Sequence, residues 1–234
     1  MNKGYLTFDT FLEDSSNHFA SACCKAVVEH TGEYYNPLWL YGQSGCGKTH
    51  LLHAIYHALR QEKGKKALFL KSSELAEGLV DLVMNQPTVW GAVERADVLL
   101  VDNMECLRGC RVIQTDIAKL FAEKAERGQQ VVCVSACVPQ RLPQFFKTLQ
   151  ENAVQTMIAD IQPPKRRLRT EFIRRRAVRM SIEITEEAVD YISRHCATLP
   201  RILGVLNSAK FNYLKDRKPI GVKEVRKYML FGGN

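Results

Sequence analysis

Residues 42–49 read Gly42-Gln43-Ser44-Gly45-Cys46-Gly47-Lys48-Thr49. This stretch satisfies G-x-x-x-x-G-K-[ST] at every fixed position. The residues before it, Leu38–Tyr41, form an apolar run of strand length, and those after it, Lys48–Gln61, read as a helix. A glycine-rich turn between strand and helix points its backbone N–H groups at phosphate oxygens, and the helix N-terminus adds a partial positive charge. The stretch therefore predicts a nucleoside triphosphate site. Lys48 is expected to neutralise the β and γ phosphates, and the Thr49 hydroxyl to ligate Mg²⁺. His50, next along the helix, completes the cofactor-binding set of Gly42, Gln43, Ser44, Gly45, Cys46, Gly47, Lys48 and Thr49. Along the same helix, His50, His53 and His57 read as surface or packing histidines in preference to metal ligands or catalytic groups.

Working outward, short apolar runs alternate with helical segments. The further strands are Ala67–Leu70, Val98–Val101, Val131–Val134 and Val154–Ile161. The spacing of Leu75, Leu79, Leu82 and Val83 predicts a helix over Ser73–Asn85 with Ser72 or Ser73 as its N-cap. A short helix over Thr88–Arg95 follows Pro87, and Val112–Arg127 forms another helix, ended by Gly128. Continuous apolar strands separated by helices indicate a parallel sheet covered on both faces. After Pro163-Pro164 the strand signal stops, and Arg166–Met180, Thr185–Cys196, Pro200–Asp216 and Val222–Leu230 read as helices. The expected division is an α/β domain over residues 1–163 and a helical domain over residues 164–234.

A Mg²⁺ site needs an acid at the tip of a nearby strand. Val98-Leu99-Leu100-Val101-Asp102 supplies one, with Asp102 expected to hold the metal through water. The next position commonly carries the acid that polarises the attacking water. Here it is Asn103, which can orient water but cannot accept a proton. Glu105 lies two residues further on and reads as a solvated side chain, with a substitute base as the alternative.

The chain has 234 residues, 46% hydrophobic and 25% charged, enough to bury the core of one large domain with a small satellite. No run of 18 apolar residues occurs, and Met1-Asn2-Lys3-Gly4-Tyr5 lacks the apolar stretch of a signal peptide, so membrane insertion and export are not expected. Eight cysteines are scattered along the chain and are expected as reduced thiols in a cytoplasm. The pairs Cys106/Cys110 and Cys133/Cys137 invite a zinc reading, but Cys133 sits in an apolar run where a small buried thiol is the simpler account. Charge is lopsided. Residues 1–163 carry 16 Lys and Arg against 18 Asp and Glu, whereas residues 164–234 carry 17 against 7. A one-sided basic field points to nucleic acid or an acidic partner.

Several further stretches carry a resemblance: Leu6-Thr7-Phe8-Asp9-Thr10-Phe11, then Ser16-Asn17-His18-Phe19-Ala20, then Tyr35-Asn36-Pro37-Leu38 leading into the phosphate loop, and finally Asp160-Ile161-Gln162-Pro163-Pro164. Over residues 5–230 the chain resembles the AAA+ core of the bacterial replication initiator DnaA, and Asp102-Asn103-Met104-Glu105-Cys106 resembles the same region of the DnaA homologue Hda. The resemblance implies an α/β AAA+ P-loop core followed by a small helical lid, ATP or ADP with Mg²⁺ as ligands, and Phe8–Phe11 bordering the adenine. It implies that the helix pair at residues 73–95 is the insertion that winds subunits into a filament. It also implies that Arg201, opening a lid helix, senses the γ-phosphate, and that Ser135 is the surviving sensor residue beside Ala136. Arg169 matches a recurrent arginine of the family.

The departures are as informative. The family's arginine finger aligns with Asn152, beside Gln150 and Glu151, and no arginine occurs between Arg141 and Arg166. Met1–Leu6 does not resemble the clamp-binding peptide of Hda and gives no basis for a sliding clamp as partner. The chain starts at the core and ends at Asn234, so origin reading in the DnaA manner is not expected.

The expected catalytic set is thus Asp102, Asn103, Ser135 and Arg201, with binding parts kept and turnover parts weakened. The expected function is a DnaA-related, ATP-binding regulator or accessory factor of replication initiation. It would assemble with DnaA or with itself and be a weak ATPase at most. A single-stranded-DNA-binding ATPase of helicase-loader type is the alternative. Lys165, Arg166, Arg167, Arg174, Arg175, Arg176 and Arg179 crowd one helix with a single acid, Glu171. They are expected to lack i,i+4 partners and to face DNA phosphates, single-stranded or otherwise, or an acidic partner.

Overall fold

The computed structural model describes residues 6–84, 89–153, 156–216 and 218–230. The expectations placed on Met1–Tyr5, on Asn85–Thr88, and on Val154 and Gln155 fall outside the described residues. The chain divides into two compact units, one of residues 1–11 and 17–161, the other of residues 12–16 and 162–234.

The first unit is built on five parallel strands: β1 (Leu38–Gly42), β2 (Ala67–Lys71), β3 (Val98–Asp102), β4 (Gln130–Ser135) and β5 (Met157–Ile161). They lie in the order β2-β3-β4-β1-β5. Alternate residues of each strand face opposite sides, so both sides need cover. One side (Leu38, Leu40, Val98, Leu100, Val132, Val134, Ala159 and Ile161) packs against α1 (His18–Glu29) and α2 (Lys48–His57). The other side (Trp39, Leu99, Val101, Val131 and Cys133) packs against α3 (Ser72–Val83), α4 (Trp90–Arg95), α5 (Arg111–Glu126) and α6 (Pro143–Asn152). Trp39, Phe145 and Phe121 form an edge-to-face chain with ring centroids 5.1 and 5.4 Å apart, which fixes α5 and α6 on the sheet. Cys133 lies in this core, and burial pushes its thiol far above the ordinary range.

The strand runs read from the sequence are all present, the first four with one or both ends shifted by one residue and the last described over Met157–Ile161. The helix after the phosphate loop is shorter than expected, because Ala58–Glu62 loosens into a π-helical turn. Helices α1 and α6 stand where the sequence reading placed none. Both carry helical spacing: Ala20, Cys23, Cys24, Val27 and Val28 form a buried stripe on α1, and α6 buries Phe145, Thr148 and Leu149.

The second unit holds α7 (Arg166–Met180), α8 (Glu186–His195), α9 (Leu199–Asp216) and α10 (Val222–Leu230) around a core that includes Ile173, Ala177, Val189, Ile192, Leu206 and Val225. One short parallel bridge, Ile184 with Ile220, joins the entry to α8 with the entry to α10. Segment 12–16 belongs here through Gln162 N–H, which donates to the Ser16 carbonyl at 2.9 Å, and Lys165 Nζ, which donates to Ser15 Oγ at 2.7 Å. No helix among the described residues is long and apolar enough to cross a membrane.

Candidate nucleotide site

Parallel strands put all their C-terminal tips on one edge, and three neighbouring tips carry the predicted site residues. β4 lies between β1 and β3, so Ser135, paired with Tyr41, sits between the phosphate loop and Asp102. The loop closes tightly. A Cβ at Gly42 would stand 2.2 Å from the Ile161 carbonyl oxygen, and one at Gly47, whose φ is 108°, would stand 3.0 Å from the Phe11 ring. Only glycine fits either place. Gly47 caps α2 without a side chain, which leaves the first N–H groups of that helix to the loop. Lys48 is 9% exposed and folds back, with Nζ donating to the carbonyls of Gly42 at 2.7 Å and Gln43 at 2.9 Å. Cys46 is buried beneath it, and burial raises its thiol pKa against the pull of the Lys48 ammonium.

Thr49 Oγ1 donates to Asp102 Oδ2 at 3.0 Å, and Asp102 Oδ1 accepts the Asn103 N–H at 2.8 Å. A hydroxyl and a carboxylate at this distance, beside a glycine cradle, form a hard-oxygen donor pair that suits Mg²⁺. Asn103 has φ 61° and ψ 44°. Asn tolerates this left-handed conformation better than most residues. Its carbonyl accepts from Ser72 Oγ at 2.6 Å and from the Cys106 N–H at 3.0 Å.

Two side chains make contacts that reach far along the chain. Glu105 is no solvated side chain: it is half-buried, and its Oε2 accepts the Ala136 N–H at 2.9 Å. The side chain of His50 is taken up by packing contacts. Its Nε2 donates to the Thr7 carbonyl at 2.9 Å and lies 3.3 Å from Thr10 Oγ1, and its ring meets Phe11 edge-on with centroids 5.1 Å apart. It ties segment Thr7–Phe11, with Phe8 packed on the core, to the start of α2. No sequence signal announces either contact, since the partners lie 31 to 43 residues apart. Asn152 turns back on its own helix, its amide donating to the Thr148 carbonyl at 2.6 Å.

The remaining candidates belong to the second unit. Arg201 is exposed in the first turn of α9. Arg169 is structural there, donating to the carbonyls of Ser193 at 3.0 Å and Pro164 at 2.6 Å. The expectation that the α7 arginines lack acidic partners is wrong. Arg175 pairs with Glu171 four residues earlier, Arg174 with Glu186 at 2.6 Å, and Arg166 with Asp190, which also takes Arg194 at 2.8 Å. These hydrogen bonds hold the carboxyls of Glu186 and Asp190 below the usual carboxylate range. Glu186 and Asp190 come from α8, too distant in sequence for helical spacing to show them, whereas Glu171 stands at i,i+4 on α7 itself. Arg167 and Arg179 are exposed, and Arg176 is half-buried.

The family profile described as the bacterial DnaA ATPase domain matches residues 1–160. The chromosomal replication initiator protein DnaA of Chloroflexus aurantiacus is 31% identical over 221 residues, covering 93% of this chain and 46% of that protein. The chain thus spans about half the length of the curated relatives it matches. Among solved structures, domain III of the Thermotoga maritima replication initiation protein DnaA superposes with a TM-score of 0.86 at 27% identity, covering 97% of this chain and 96% of that one. A replication initiator DnaA bound to AMPPCP and single-stranded DNA shares the fold with a TM-score of 0.76 at 22% identity, covering 91% and 67%.

Proposed function

The chain belongs to the bacterial DnaA ATPase-domain family, and on that premise we propose that it is an ATP- or ADP-binding switch of replication initiation that hydrolyses ATP slowly. One observation carries the reading. Lys48 bonds the loop carbonyls and Thr49 bonds Asp102, while the positions that align with the family's catalytic acid and arginine finger hold Asn103 and an Asn152 engaged with its own helix. Mg²⁺ held by Thr49 and Asp102 would shield phosphate charge. Lys48 would orient the β and γ phosphates, and Phe8, fixed through the His50 tether, would border the base. Asn103 can position a water but cannot take its proton. In this reading Ser135 and Arg201 sense the nucleotide, and bound nucleotide controls assembly with DnaA or with a second copy.

The decisive test is ATP hydrolysis by a mixture of this protein with DnaA from the same organism, against each alone. An arginine finger contributes on the order of 10³–10⁵ in rate where it operates, so its effect is easy to see. The expected result is a mixture no faster than the two rates added. A mixture that hydrolyses much faster would overturn the binding-switch reading in favour of an inactivator of Hda type.

The basic helix α7 is the proposed contact for single-stranded or non-specific DNA, through Lys165, Arg166, Arg167, Arg174, Arg175, Arg176 and Arg179. Its ion pairs do not exclude this, because exposed pairs hold by only about 0–1 kcal/mol and can exchange for phosphate. Changing Arg167, Arg174 and Arg175 together to alanine should reduce the slope of log affinity against log salt by about 2 for single strands. An unchanged slope with intact thermal stability would clear α7 of DNA contact.

A further inference from the structure

The turn that leaves the strand of Asp102 is fastened at both ends. On one side Ser72, fully buried at the start of α3, donates to the Asn103 carbonyl at 2.6 Å. On the other, Glu105 reaches across to the tip of β4 and accepts the Ala136 N–H at 2.9 Å. Ala136 follows Ser135, whose Oγ accepts the Cys137 N–H at 3.1 Å and lies 3.3 Å from Cys137 Sγ. The carboxylate of Glu105 thus closes a bridge between two strand tips, each carrying a site residue. A charged acceptor on a backbone N–H is among the stronger hydrogen bonds a protein forms. Its distance from Asp102 in sequence would suit a substitute general base, but the geometry uses it otherwise.

We propose that Glu105 is a positioning residue, holding the Ser135–Cys137 turn in register with the turn after Asp102, so that Ser135 and Asp102 face the nucleotide together. A base must lose function when its carboxylate becomes an amide. A clamp need not, since the amide oxygen of glutamine accepts the same N–H.

The experiment compares the wild type, Glu105→Gln and Glu105→Ala by amide hydrogen exchange at Ala136, by MgATP affinity and by turnover. Glu105→Ala is expected to speed exchange at Ala136 by about tenfold, the loss of one hydrogen bond to a charged group. It should lower turnover several-fold while MgATP affinity stays within about threefold. Glu105→Gln is expected to restore both Ala136 protection and turnover. If Glu105→Gln keeps Ala136 protected but abolishes turnover, Glu105 is a general base and the proposal is wrong. Unchanged exchange at Ala136 in Glu105→Ala would also overturn it. The turnover arm rests on the nucleotide reading above; the exchange arm does not. A wild type that binds no MgATP would therefore sink that reading while leaving the clamp decided by exchange.

Discussion

Changing Lys48 to alanine is expected to weaken ATP binding by at least about a hundredfold. The ammonium sits in a place with little water, 9% exposed, on the carbonyls of Gly42 and Gln43. A hydrogen bond from a charged group in such a place contributes roughly 3 kcal/mol, and each 1.4 kcal/mol is tenfold in affinity. The same substitution frees two loop carbonyls, so the loop also loses an internal tie. Titration with a fluorescent ATP analogue, with thermal unfolding as a control for folding, measures the effect. Affinity within about threefold of wild type would remove Lys48 from the phosphate site.

The second large effect is expected from Gly42→Ala. Gly42 pairs with Ile161 across β1 and β5, and the added methyl would sit 2.2 Å from the Ile161 carbonyl oxygen and 3.0 Å from Cys46 Sγ. Neither backbone can yield without parting two paired strands. Overpacking of this kind costs about 3 kcal/mol, which in a chain of this size lowers the melting temperature by roughly 6–12 °C. Calorimetry or circular dichroism reads the shift. A melting temperature unchanged within about 2 °C would show that the loop and β5 do not approach each other as described.

The sequence was easiest to read where burial is two-sided. Val98–Val101 and Val131–Val134 are apolar without interruption because helices cover both faces of the sheet, and a continuous apolar run is a local signal. The phosphate loop was equally plain, since its glycines are dictated by the backbone itself. What stayed hidden depends on partners brought together by folding. Glu105 reads as a surface acid until β4 places Ala136 beside it. His50 reads as one of three histidines on a helix until Thr7 arrives, 43 residues away. Arg174 and Arg166 read as unpaired because Glu186 and Asp190 stand 12 and 24 residues away, whereas the Glu171–Arg175 pair was open to reading at helical spacing. Helix α1 is a different case: Ala20, Cys23, Cys24, Val27 and Val28 recur at helical spacing, a local signal that was there to be read.

The path of the chain through its two units has a consequence for taking the protein apart. It crosses after Phe11, returns at Asn17, and crosses again after Ile161. Three peptide links therefore join the units, where a division at the double proline alone would leave one. A gene fragment stopping at Ile161 would carry Leu12–Ser16 as an orphan, stripped of Gln162 and Lys165, which bind it. One starting at Gln162 would lack that segment altogether. Severing the chain at one point, by protease or by cloning, parts Leu12–Ser16 from Gln162 and Lys165 or from its own chain neighbours. Substitution within the whole chain separates nucleotide binding from the basic helices without that loss.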